Sequence, residues 1–246
     1  MKVASRMSEI KPFYVMELLG RAKALEAQGR DIIHMEIGEP DLATPDAIIQ
    51  AGIEYIQQGQ VKYTPAAGLP ALRQKIADFY QQRYQVTVPM ERIFITPGAS
   101  GAFLLALGVS LNAGEEVLLS DPCYPCNQNF VRLFAGQVRK VPVYAETDYQ
   151  LSADLVAQYW TEKTAAVVVA SPSNPTGTMI KRDIFKALIA QVERRDGFLL
   201  SDEIYHGLVY EEGVSSALEF SDKVFVINSF SKYFGMTGWR AGWLVV

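Results

Sequence analysis

Seven short apolar runs lie between residue 93 and the end of the chain, at 93–96, 117–120, 138–143, 166–170, 198–201, 224–228 and 243–246, each bounded by turn residues. Runs of this length with consecutive apolar positions predict strands buried on both faces. Between most of them lie stretches of helical period. Residues 183–194 place Ile184, Phe185, Leu188, Ile189 and Val192 at the spacing of one helix face. Residues 101–111 are apolar nearly all round, which predicts a helix buried on every side. Strands alternating with helices predict an α/β domain of three layers: a mixed, mostly parallel sheet with helices on both faces.

The first third of the chain is patterned differently. Residues 12–28 predict an amphipathic helix that stops at Gly29. The segment Met35-Glu-Ile-Gly-Glu-Pro-Asp-Leu-Ala-Thr-Pro45 is rich in turn residues and predicts an extended arm. Residues 45–58 and 69–84 predict two more helices, with Ala66-Ala67-Gly68 in a turn between them. At the other end, Ala241-Gly-Trp-Leu-Val-Val246 is a hydrophobic strand with no polar tail. An apolar strand edge invites aggregation, so this end is expected to be a cut within a longer chain.

Composition narrows the function classes without choosing one. The chain has 246 residues, 49% hydrophobic and 20% charged, as ordinary globular domains do. Its 23 Lys and Arg against 27 Asp and Glu give a net charge of −4, which predicts no nucleic-acid partner and no anionic membrane partner. Residues 1–12 lack the apolar core of a secretory signal, and no apolar run is long enough to span a bilayer, so a cytoplasmic location is the default expectation. The two cysteines, Cys123 and Cys126, cannot make a disulfide framework. His34 and His206 are the only histidines, so the C-x-x-C pair lacks the rest of a four-ligand zinc site and no metal is expected. Framing Tyr124 is a better account of the pair than redox chemistry.

Four segments near predicted strand ends carry chemistry. Thr96-Pro-Gly-Ala-Ser-Gly101 opens a helix, whose free N–H groups suit a phosphate, although the same residues make an ordinary strand-to-helix turn. Ser171-Pro-Ser-Asn-Pro-Thr-Gly-Thr178 ends a strand and presents Asn174; it also reads as a plain Asn turn. Ser201-Asp-Glu-Ile-Tyr205 places Asp202 at the end of an apolar strand, where a carboxylate needs a partner or serves as a helix cap. Asn228-Ser-Phe-Ser-Lys-Tyr-Phe-Gly-Met-Thr-Gly-Trp-Arg-Ala-Gly-Trp243 sets Lys232 among Phe230, Tyr233 and Phe234. Desolvation there would make a lysine neutral and nucleophilic.

Taken together, the segments resemble the fold-type I enzymes of pyridoxal 5′-phosphate (PLP), in particular the class I and II aminotransferases. Asn174, Asp202 and Lys232 follow one another at 28 and 30 positions, about one strand–helix unit each. The resemblance extends from Gly38-Glu-Pro-Asp-Leu-Ala-Thr-Pro45 to Val246. It implies PLP as cofactor, held by Lys232 as a Schiff base, with the freed lysine acting as general base and acid. Asp202 would hold the pyridine nitrogen protonated, while Asn174 and Tyr205 would hydrogen-bond the ring O3′. Ala99, Ser100, Ser229, Ser231 and Arg240 would bind the phosphate. Tyr124 would stack on the ring. Tyr63 would reach the phosphate of a second subunit, which implies a homodimer, and the Gly38 N–H would lie near the substrate carboxylate.

The resemblance further implies that residues 1–45 are an N-terminal helix and arm, and that residues 46–246 are an incomplete PLP-binding large domain with the C-terminal small domain absent. The family's arginine for the substrate carboxylate lies in that missing part, so none is nominated here. The expected reaction is amino transfer between an amino acid and a 2-oxo acid, part of amino acid metabolism. A PLP-dependent carbon–sulfur lyase shares Lys232, Asp202 and Arg240, and a non-catalytic PLP-binding or dimerisation module remains the alternative outside enzymes.

Overall fold

The computed structural model describes residues 2–210 and 213–246. Seven strands, β1 (Ile93–Thr96), β2 (Glu116–Asp121), β3 (Gln137–Pro142), β4 (Thr164–Ala170), β5 (Phe198–Asp202), β6 (Val224–Ser229) and β7 (Gly242–Val245), form one sheet in the order β1-β7-β6-β5-β4-β2-β3. All seven coincide with the apolar runs to within two residues at either end. Strand β7 is antiparallel to both β1 and β6, and the other neighbours pair in parallel. Strands β1 to β6 therefore point the same way and deliver their carboxyl ends to one edge of the sheet.

The helices are α1 (Tyr14–Glu26), α2 (Asp46–Gln57), α3 (Pro70–Tyr84), α4 (Gly98–Ser110), α5 (Pro125–Leu133), α6 (Ala153–Tyr159) and α7 (Arg182–Glu193). Alternate residues of each central strand feed two cores. Leu118, Val167, Leu199, Val226 and Trp243 join residues of α3, α6 and α7 on one face. Val117, Val168, Leu200, Ile227 and Leu244 join α4 and α5 on the other. This is the expected three-layer α/β architecture, with a mixed sheet covered on both faces.

The chain departs from its hydrophobic pattern in three places. Helix α4 is not buried all round: Ala102, Phe103, Ala106 and Leu107 face the sheet, whereas Leu105 and Val109 are exposed. A helix in an outer layer has only one face against the sheet, and an apolar composition cannot change that. Helix α1 is shorter than residues 12–28 and has no buried residue. Indeed none of residues 2–67 is buried. Helices α5 and α6 were not individually legible, since Asn127, Gln128 and Asn129 dilute the first and the second has only 7 residues. Among the described residues no helix is long and apolar enough to cross a membrane.

Trp243 sits where β7 meets α3. It is 1% exposed, donates its indole N–H to the Tyr80 hydroxyl at 3.0 Å and packs against Phe230 with ring centroids 4.9 Å apart. Trp243→Ala is expected to cost about 3–5 kcal/mol, because the cavity cannot close and Tyr80 loses its donor. Denaturant unfolding would check this through a lower midpoint at unchanged slope. A loss under about 1 kcal/mol would show that β7 is not part of the cooperative core.

Candidate active site

The chain moves outward from β2 to β3 and then inward through β4, β5 and β6, so its direction reverses between β2 and β4. In open α/β sheets the crevice beyond the strand ends at such a reversal binds ligands. Here it opens into a cavity of about 1370 Å³, walled by the loops after β1, β2, β4, β5 and β6 and by parts of the N-terminal segment.

Asp202 is the last residue of β5, and the preceding Phe198-Leu-Leu200 carries it into the core side of the crevice. It is 8% exposed yet lines the cavity. It does not cap a helix. Its Oδ1 accepts from the backbone N–H of Ile204 at 3.2 Å, closing a turn at the strand end. Burial pushes its carboxyl up to about 6, and that single N–H opposes the shift. A buried carboxylate without a cation is electrostatically costly and attracts one.

Asn174 and Tyr205 come from the loops after β4 and β5. The Asn174 Nδ2 donates to the Tyr205 hydroxyl at 3.2 Å. Burial raises the Tyr205 pKa, and the Asn174 bond opposes it, so the phenol keeps its proton and can donate. Tyr124 precedes α5, lines the same cavity and meets Phe13 edge-on at 5.8 Å. Burial raises its pKa as well, with Cys126 adding to the effect. Cys123 and Cys126 are free and half-buried, and burial pushes the Cys123 thiol up to about 11, which keeps it protonated and poorly nucleophilic.

Lys232 lies in the loop after β6. Its ammonium donates to the Gly38 carbonyl at 2.6 Å. The Gly38 carbonyl is thus turned toward Lys232. Burial pulls the Lys232 pKa down; Glu39 opposes this and Arg240 adds to it. The arm is fastened beside Lys232 by two further bonds: the Thr44 hydroxyl donates to the Gly235 carbonyl at 2.6 Å, and the Trp239 indole donates to Thr44 Oγ1 at 3.2 Å. Nothing in the sequence signals these contacts, which join residues more than 190 positions apart.

A helix start and a guanidinium meet at another part of the cavity wall. Helix α4 begins at Gly98 with no side-chain cap, so its first N–H groups are free to meet a ligand. Ala99 and Ser100 line the cavity, as do Ser231 and Arg240. Gly98 has φ +73°, and a Cβ there would lie 2.6 Å from Arg240 Nη2, so only glycine lets the guanidinium approach the helix end. Arg240 donates to the Thr237 carbonyl at 2.9 Å. Ser229 is buried beneath this surface and does not line the cavity. Its hydroxyl donates to the Ala241 carbonyl at 3.0 Å and accepts from the Ser231 N–H at 3.0 Å.

The structure therefore brings Gly38, Ala99, Ser100, Tyr124, Asn174, Asp202, Tyr205, Ser231, Lys232 and Arg240 around one space. Ser229 lies behind it, and Tyr63 is fully exposed and outside it. Phe13, Ile37, Phe103, Phe130 and Thr237 also form its walls, and none of them was singled out individually from the sequence. Thr237 alone carried a signal, since it lies in the same glycine-rich segment as Arg240.

Comparison with known proteins agrees with this geometry. Residues 30–246 match the family model for aminotransferase class I and II. The (5-formylfuran-3-yl)methyl phosphate transaminase of Methanocaldococcus jannaschii is 37% identical, aligned over 99% of this chain and 63% of its own length. The aspartate aminotransferase of Thermotoga maritima is 35% identical over 99% of this chain and 65% of its own. A crystal structure of an aminotransferase from Mycobacterium tuberculosis superposes with a TM-score of 0.96 at 38% identity, covering all of this chain and 64% of that one. The chain thus spans a little under two thirds of the relatives it matches. Fold, cavity and sequence similarity together place this chain in the family of class I and II aminotransferases.

Proposed function

We propose that this chain is the cofactor-holding part of a PLP-dependent aminotransferase, which moves an amino group between an amino acid and a 2-oxo acid. One observation carries the reading: a single cavity presents an uncompensated buried carboxylate at Asp202, a desolvated amine at Lys232, and a helix N-terminus beside Arg240. A ligand with a protonated ring nitrogen, an aldehyde and a phosphate satisfies all three. When bound, PLP supplies an electron sink for the charge left at the α-carbon of an amino acid.

The chain's own residues have separable tasks. Lys232 is the amine for the aldehyde, and its lowered pKa favours the neutral form that can attack carbon and later carry a proton. Asp202 keeps the ring nitrogen protonated, exchanging a costly isolated charge for an ion pair. Asn174 and Tyr205, already joined at 3.2 Å, donate to the ring O3′. Tyr124 covers the ring face. The N–H groups of Ala99 and Ser100, the Ser231 side chain and Arg240 hold the phosphate, while Ser229 orients Ser231 from below. The Gly38 carbonyl would hold the Lys232 amine whenever it is not bonded to the aldehyde. Tyr63, fully exposed, acts across the boundary of a homodimer. On family grounds residues 1–45 are a helix and arm that belong with the small domain and the dimer contact.

Two outcomes are expected. Borohydride reduction of the PLP-loaded full-length protein followed by peptide mapping should place the pyridoxyl group on Lys232; a label on another lysine would contradict the assignment. Amino acid without 2-oxo acid should give a single half-turnover, whereas continuous release of an elimination product would indicate the lyase. Separately, Gly98→Ala should weaken PLP about tenfold, because it displaces Arg240 and strains the helix start. Pyridoxal, which has no phosphate, should lose much less affinity. Equal losses for both ligands would remove the phosphate from this end of the cavity.

A further inference from the structure

Asp202 and Tyr205 face the cavity, but their neighbours Glu203 and His206 face away from it. These are 1% and 4% exposed, and neither lines the cavity. The His206 Nε2 is 2.8 Å from the Ser171 carbonyl, and its Nδ1 is 2.7 Å from the Tyr84 hydroxyl. A carbonyl can only accept, so Nε2 carries the proton, and Nδ1 then accepts from Tyr84. Both ring nitrogens are satisfied by a neutral imidazole of one tautomer.

Glu203 Oε2 lies 3.5 Å from His206 Nδ1, close enough for an ion pair. Burial decides against one. It pushes His206 down to about 3, with the Ser171 bond opposing and Arg83 adding, and it pushes Glu203 up to about 8. Glu203 Oε1 is meanwhile occupied by the N–H of Ala217 at 2.8 Å and the hydroxyls of Ser201 and Ser216, each at 3.1 Å. Burial favours the uncharged forms of both groups, and it is the two hydrogen bonds of the imidazole that have a positional consequence.

Ser171 is the first residue beyond β4 and lies three before Asn174. Its N–H donates to the Asp202 carbonyl at 3.2 Å, and its hydroxyl oxygen accepts from the Ile180 N–H at 3.0 Å. His206 follows Tyr205 directly. The imidazole therefore ties the base of the Asn174 loop to the base of the Tyr205 turn, with Tyr84 of α3 anchoring it from the helix layer.

We propose that His206 is a positioning residue for the Asn174–Tyr205 donor pair, setting how strongly that pair binds the ring oxygen of the cofactor. This rests on the PLP reading above. Weaker donors leave more negative charge on that oxygen, so the proton it shares with the lysine nitrogen is held to higher pH.

The test is a pH titration of the cofactor's absorbance in the PLP-loaded full-length protein, with PLP affinity and thermal unfolding measured alongside. His206→Phe keeps a ring without the donor. Its midpoint should rise by about one pH unit and its PLP affinity fall about tenfold, the scale of one buried hydrogen bond. His206→Gln can still donate to the Ser171 carbonyl and should retain most of both. Tyr84→Phe, which frees the tautomer, should shift the midpoint the same way by less. If the His206 role is merely structural, the variants melt earlier but titrate at the wild-type midpoint, and that result overturns the proposal. Should His206→Phe fail to fold, an unmoved midpoint in Tyr84→Phe overturns it equally. A wild-type protein that takes up no PLP on Lys232 would overturn the PLP reading itself, which separates the two failures.

Discussion

A carboxylate held in the protein interior without a cation is the constraint around which this site is organised. Asp202 is delivered there because β5 is a central, buried strand that opens with Phe198, Leu199 and Leu200, and its last residue has nowhere wet to go. The one N–H that reaches it offsets only part of the cost of burial. On the proposed reading, the deficit would be recovered when a protonated ring nitrogen entered the crevice.

The remaining groups are placed by strand direction. With β1 to β6 pointing one way, the loops bearing Ser100, Tyr124, Asn174, Tyr205 and Lys232 all emerge on one edge. The antiparallel β7 starts from that edge at Gly242 and carries the chain back across the sheet, and the missing side chain of Gly242 matters. A Cβ there would lie 2.7 Å from the Gly98 carbonyl carbon and 2.8 Å from the Asn228 carbonyl oxygen. The close approach brings the start of α4, the end of β6 and Arg240 together at the cavity wall.

Much of this was legible in the sequence because the physics was local. Central strands buried on both faces are nearly continuous apolar runs and were visible as such, whereas the edge strand β3, with Arg139 and Lys140, is mostly unburied against the expectation of burial on both faces. Asp202 and Lys232 stood out because a charge beside an apolar strand or among aromatic rings is itself an anomaly. What stayed hidden was non-local. The exposed face of α4 depends on what packs outside it, which composition does not encode. The fastening of Thr44 to Gly235 and the facing of the Gly38 carbonyl toward Lys232 depend on where the arm lands. His206 was weighed only as a metal ligand, since its partners Tyr84 and Ser171 lie 122 and 35 positions away.

The central claim is that the Asp202 carboxyl waits for a cation. In the cofactor-free protein its pKa is raised from 3.8 to about 6, so the folded state holds a proton that the unfolded chain has released. Its stabilising contribution is then full below about pH 4 and lost as pH rises through about 6. A protonated ring nitrogen would reverse the sign by favouring the carboxylate. The direct measurement is carbon NMR of protein labelled at aspartate carboxyls, with Asp202→Asn used to assign the signal, titrated with and without PLP. The account expects a midpoint near 6 in the empty protein, moving below the ordinary aspartate value once PLP is bound. A midpoint that is the same in both states would contradict it.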